Sequence, residues 1–197
     1  MKSRFFSGVA TVMIVLALTS CGKLPQAQID TATAAVDSAK IEQADIYVAA
    51  EFTALQDSLT AYMAEVEIQK SKFFKSYGDV TVKLEALVAE AATVKSNSIA
   101  KKEEVRKEVE ALMAEIAVMI TDNNALILKA PKGKEGAAAL EEIRAEMVVI
   151  EASVAEANVL FTNGEFMAAH DKAKAAMENA TTINTELKEA IAKVTRR

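Results

Sequence analysis

The sequence predicts an all-α protein, and three observations carry that prediction. Alanine is plentiful and Glu, Lys, Leu and Met fill much of the remainder, all strong helix formers. Apolar residues recur at gaps of three and four over most of the chain, which is the spacing of one helix face. Helix breakers are sparse, because beyond residue 21 the only glycines and prolines are Gly22, Pro25, Gly78, Pro131, Gly133, Gly136 and Gly164. The architecture expected from these signals is an elongated antiparallel helical bundle made of two helical hairpins. Residues 28–130 would form a long N-terminal hairpin, 131–136 a loop and 137–197 a C-terminal hairpin.

Each arm is justified by its own periodicity. A first helix is expected just after Pro25, where a missing N–H costs nothing. Ile29, Val36, Ile41, Tyr47, Phe52, Leu55, Leu59, Tyr62, Val66 and Phe73 then continue the apolar face, with a bend predicted near Ile46 to Ala50 where the seam shifts. Gly78 ends this arm. The second arm carries Leu84, Leu87, Ala91, Val94, Val105, Val109, Leu112, Ile116 and Met119. Its polar Ser96-Asn97-Ser98 predicts a kink or short break, and Asp122-Asn123-Asn124 a second weak point. Pro131-Lys132-Gly133-Lys134 is the clearest loop and divides the chain into halves. Leu140, Ile143, Met147, Ile150, Val154, Ala157 and Phe161 then define a third helix. Phe166, Ala169, Ala173, Ala180, Ile183, Leu187, Ile191 and Val194 define a fourth.

The two hairpin corners read alike. Phe74-Lys75-Ser76-Tyr77-Gly78-Asp79-Val80 and Leu160-Phe161-Thr162-Asn163-Gly164-Glu165-Phe166 share one pattern, with a hydroxyl three residues before a carboxylate. That spacing predicts a reciprocal cap at each helix start, with Phe73, Phe74 and Tyr77, or Phe161 and Phe166, covering the corner. The match suggests an internal duplication. Through Ala157, Leu160, Gly164, Phe166, Ala169, Ala173 and Ala176 the second corner also resembles a tetratricopeptide-type helical hairpin. It departs from that family in spanning a single repeat, in lacking the aromatic and glycine early in the first helix, and in having Thr181 where proline is usual.

The N-terminus has a different logic. Lys2 and Arg4 give a positive start, Gly8 to Leu18 is an unbroken run of small and apolar residues, and Thr19-Ser20 precede Cys21, the single cysteine. The apolar run is little more than half the roughly 20 residues a membrane span requires. This order resembles the signal sequence of bacterial lipoproteins, whose lipobox ends in a cysteine. The resemblance implies a signal peptide over residues 1–20, diacylglyceryl attachment to the Cys21 sulfur, cleavage before Cys21 and acylation of the freed amine. Residues 21–27 would form a lipidated tether. Gly22, standing where aspartate would signal inner-membrane retention in enteric bacteria, implies the outer membrane, facing the periplasm.

Reactive chemistry is scarce. With Cys21 acylated, no thiol remains for a disulfide or a metal. Removing Lys2 and Arg4 leaves 21 basic against 28 acidic residues, an acidic surface that argues against nucleic acid as a partner. His170, the one histidine, is followed by Asp171 on a helix, but a catalytic histidine needs a nucleophile or second acid within reach. Glu103, Glu104, Glu108, Glu141, Glu142 and Glu146 fit solvated i,i+4 charge pairing better than a di-iron site, which needs Glu-x-x-His on two helices. Lys129, Lys132 and Lys134 surround the proline loop and read as a solubilising turn. The chain is expected to be non-enzymatic, without catalytic, metal or cofactor residues. It would serve as a membrane-anchored helical scaffold or interaction module for an envelope protein partner. The alternative is a periplasmic carrier or holdase for an apolar ligand or unfolded chain. The dense apolar clusters at 116–120, 126–128 and 147–150 offer either a core or a groove for a partner helix.

Overall fold

A computed structural model describes residues 22–131 and 134–195, and among them every regular element is helical. The helices are α1 (Gln26–Ile41), α2 (Ala44–Tyr47), α3 (Ala49–Ser71), α4 (Gly78–Lys129), α5 (Lys134–Thr162) and α6 (Phe166–Thr195). The all-α, antiparallel expectation holds. The chain divides into two compact units, and the division falls at residue 100, inside α4 rather than at the Pro131 loop.

In the first unit α1 begins at Gln26, directly after Pro25, whose carbonyl accepts from the Ile29 amide at 3.1 Å. The bend expected near Ile46 to Ala50 is a full reversal. A break does fall in that window, at the non-helical Val48 between α2 and α3, and a second at Gln43, whose φ of +61° is a left-handed conformation rare outside glycine. The start of α1, at Ala27 and Thr31, lies beside Leu84 and Val88. Its end meets α4 further on: Lys95 Nζ donates to Ser38 Oγ at 2.9 Å, and Ser98 Oγ donates to the Glu42 carbonyl at 2.6 Å. So α1 runs parallel to α4. Between them α3 runs the other way, pairing Glu65 with Lys83 at 2.6 Å and Glu51 with Asn97 at 2.8 Å. The first arm is thus folded on itself as an up-down pair against α4. Its core contains Ile29, Val36, Phe52, Leu55, Val66, Tyr77, Leu84, Leu87 and Val94.

The polar triplet Ser96-Asn97-Ser98 therefore does not break α4, which is continuous through it. Ser98 is fully buried and bonds the carbonyl of Glu42, the residue that caps the end of α1, while Asn97 reaches α3. Asp122-Asn123-Asn124 is likewise helical. Asn123 is wholly buried, donates through Nδ2 to the Ala180 carbonyl at 2.8 Å and accepts from Asn184 Nδ2 at 2.7 Å. Among the described residues no buried side-chain nitrogen or oxygen lacks a partner.

The second unit packs the rest of α4 with α5 and α6 around Ile116, Ile127, Leu140, Met147, Ile150, Ala157, Ala173, Ala180, Ile183 and Leu187. Alanines along α5 and α6 let these helices approach closely, and Lys172 pairs with Glu156 across them. A methyl group on Gly136 would collide with the Pro131 carbonyl, so glycine permits the close start of α5.

The two corners differ in kind. Asn163-Gly164-Glu165 ends α5 as a Schellman turn, with Gly164 N–H bonded to Phe161 O (3.0 Å) and Glu165 N–H to Leu160 O (2.9 Å). Gly164 has φ +81°. Phe161 and Phe166 cover it, ring centroids 5.2 Å apart. The cap expected from Thr162 is absent because its hydroxyl turns back to Asn158 O at 2.8 Å. The α3–α4 link is longer, and Gly78 is simply the first residue of α4. Tyr77 is buried there, but Phe73 and Phe74 are 93 % and 85 % exposed and cover nothing.

Open space surrounds both Gly164 and Gly78, so only backbone strain separates them. Gly164→Val is expected to destabilise the protein by about 1–3 kcal/mol through left-handed strain. Gly78→Ala should be neutral or slightly stabilising, since alanine favours the helix by about 1 kcal/mol. Chemical denaturation of both variants checks this, and equal midpoints would refute the assignment of the two corners.

Candidate functional site

Cys21, the expected lipidation site, lies outside the described residues, as does the signal peptide expected over residues 1–20. The other polar candidates are dispersed. His170 Nδ1 is 3.4 Å from Asp171 Oδ1, too long for a strong hydrogen bond, and Asp171 is largely in solvent. Among the described residues no group of three His, Cys, Asp or Glu side chains is placed to hold a metal.

The α4 carboxylates form surface ladders. Arg106 bonds Glu103 at 2.8 Å and Glu110 at 2.5 Å, and Lys101 bonds Glu104 at 2.8 Å. Arg106 holds the Glu103 carboxyl below its ordinary range, and Glu103 raises Arg106 in turn. All these groups are solvated, so the pairs contribute helix solubility more than stability. Lys83 lies 5.6 Å from the Tyr62 ring centroid and is pushed up by its hydrogen bond to Glu65. Of the loop lysines, Lys129 is exposed at the end of α4, whereas Lys132 lies outside the described residues.

What the structure does assemble is apolar. On α5 the core seam Leu140, Met147, Ile150 and Ala157 faces inward, but a second seam faces solvent. Ala145, Val148, Ala152, Ala155, Val159 and Thr162 are all exposed and follow one another at gaps of three, four, three, four and three. Val148 is 64 % exposed and Val159 60 %. This is the repeat by which one helix accepts another, with small residues that allow near approach. α4 has a matching seam in Ala111, Ala114, Val118, Thr121, Ala125 and Leu128, also exposed. That helix contains a stretch of mean hydropathy 1.4, of which 17 % is buried, and by length and composition alone it could cross a membrane. The hydrogen bonds of Asn123 to α6 place the helix in the unit's core instead, leaving its outer seam unpaired.

An open cavity of about 490 Å³ lies between α5 and α6, lined by Ala145, Glu146, Val149, Ile150, Asn179, Thr182 and Glu186. Its lining is mixed, with Ala145, Val149 and Ile150 beside two carboxylates, an amide and a hydroxyl. The sequence had marked residues 147–150 as apolar all round, and that signal belongs to the outward α5 seam as much as to the core. No protein-family model, curated sequence or solved structure matches the chain significantly.

Proposed function

We propose that this protein is a bacterial envelope lipoprotein, acylated at Cys21, that serves without catalysis as a helical interaction module for another envelope protein. The observation that carries the interaction reading is the exposed heptad seam on α5, centred on Val148 and Val159. A stripe of this spacing suits the apolar face of a partner helix. The lipoprotein address rests on the basic start, the apolar run and Cys21 in sequence order. With Gly22 following the cysteine, the periplasmic face of the outer membrane is the site assigned.

The double variant Val148→Glu, Val159→Glu tests the interaction. Both positions are exposed, so stability should change by no more than about 0.5 kcal/mol per site. Crosslinking in the native envelope is expected to recover a defined partner with the unaltered chain and at least tenfold less with the variant. Equal recovery by a correctly folded variant would overturn the role of this seam.

A further inference from the structure

The six residues that join α3 to α4 form a solvent-facing tip at the same end of the first unit as the start of α1. Because α1 is parallel to α4 and Ala27 lies beside Leu84, α4 continues six residues beyond that level before reaching Gly78. The link therefore projects about 9 Å past the start of α1. Phe73 and Phe74 stand at its apex in an edge-to-face pair, ring centroids 5.0 Å apart. Ile68, one turn earlier on α3, is 55 % exposed.

Charge at this tip is opposite to that of the protein as a whole. Between Ile68 and Asp79 the chain carries Lys70, Lys72 and Lys75 and no carboxylate, although the full chain has net charge −5. Lys70 is paired with Glu67 at 2.5 Å. With the Gln69 amide oriented to satisfy both its ends, Lys72 meets that neutral side chain at 3.2 Å. Tyr77, 2 % exposed, anchors the link, and its carbonyl accepts from Thr81 Oγ1 at 2.7 Å. The aromatic pair is thus presented from a fixed base.

We propose that this Lys-Phe-Phe-Lys tip is a second membrane contact, in which Phe73 and Phe74 enter the interface of an anionic bilayer and Lys72 and Lys75 meet its headgroups. Aromatic side chains flanked by lysines partition at that boundary, the rings among the acyl ends and the ammonium groups in the phosphate layer. The inference rests on the lipoprotein reading for its orientation. Cys21 precedes Pro25 by four residues, a reach of at most about 14 Å, so an acylated Cys21 would hold this end of the unit against the bilayer. The anchor supplies persistence, and the tip fixes which end of the unit meets the lipid.

The chain has no tryptophan, so Phe73→Trp creates a reporter for the tip alone. In the full mature chain with Cys21→Ser, phosphatidylglycerol-containing vesicles should shift its emission to the blue, with at least tenfold weaker binding to pure phosphatidylcholine. Phe73→Ser with Phe74→Ser should weaken vesicle sedimentation at least tenfold, with an unchanged melting temperature. The proposal fails if emission is indifferent to anionic vesicles or if the double serine variant binds equally well. It also fails if the two phenylalanines govern self-association and not vesicle binding. Because these chains carry no acyl group, the result is independent of whether Cys21 is acylated in the cell, which fatty-acid labelling decides separately.

Discussion

Cys21→Ser is expected to move the protein from the membrane fraction to the soluble periplasm and to abolish labelling by a fatty-acid analogue. Each buried acyl methylene contributes about 0.8 kcal/mol, and one chain alone gives only reversible binding, whereas two or more hold a protein essentially permanently. A serine hydroxyl cannot form the thioether that would carry the diacylglycerol, so the variant lacks that lipid. The aromatic tip would leave at most a weak, salt-sensitive association, because it offers two rings and few lysines. Fractionation should therefore include a high-salt wash. Retention of the serine variant after that wash, with no label incorporated, would defeat the anchor assignment.

Asn123→Ala is expected to destabilise the second unit by about 2–4 kcal/mol. The substitution removes the donor to the Ala180 carbonyl and the acceptor for Asn184 Nδ2, both in a fully enclosed setting. An orphaned buried donor costs about 1–3 kcal/mol, and the vacated volume beside Met147 adds to that. Replacing both partners, Asn123→Leu with Asn184→Leu, should recover much of the loss, since an apolar pair leaves nothing unsatisfied. Denaturant titration of the two singles and the double gives the coupling. If the double loses as much as the sum of the singles, the amide pair is not the cause.

Much of the helical content was legible in the sequence because it depends on local signals. Pro25, the Phe161–Phe166 corner and the α5 and α6 periodicities all lie where expected. The α1–α3 reversal was not, since Gln43 takes a left-handed conformation that no glycine or proline advertises. Polar triplets misled for a related reason. Ser98 and Asn123 read as interruptions, yet Ser98 bonds the Glu42 carbonyl just past α1 and Asn123 the Ala180 carbonyl on α6, partners that only the tertiary arrangement supplies. Thr162 looked like a cap and bonds backwards within α5. For the candidate surfaces, periodicity could show that α5 is apolar on more than one side but not which seam meets the core. Phe73 and Phe74 were expected to be covered because aromatic residues usually are, and the length of the α3–α4 link puts them outside.

The boundary at residue 100 is crossed by an unbroken helix, 52 residues long, that gives side chains to both cores. Each core is drawn from its own side of that boundary, the first from residues up to Val94 and the second from Leu112 onward. Severing the polypeptide there would interrupt one continuous i-to-i−4 ladder that serves both cores, so loosening of the helix on one side is expected to fray it on the other. The coupling this predicts is covalent, carried by the backbone the two stretches share.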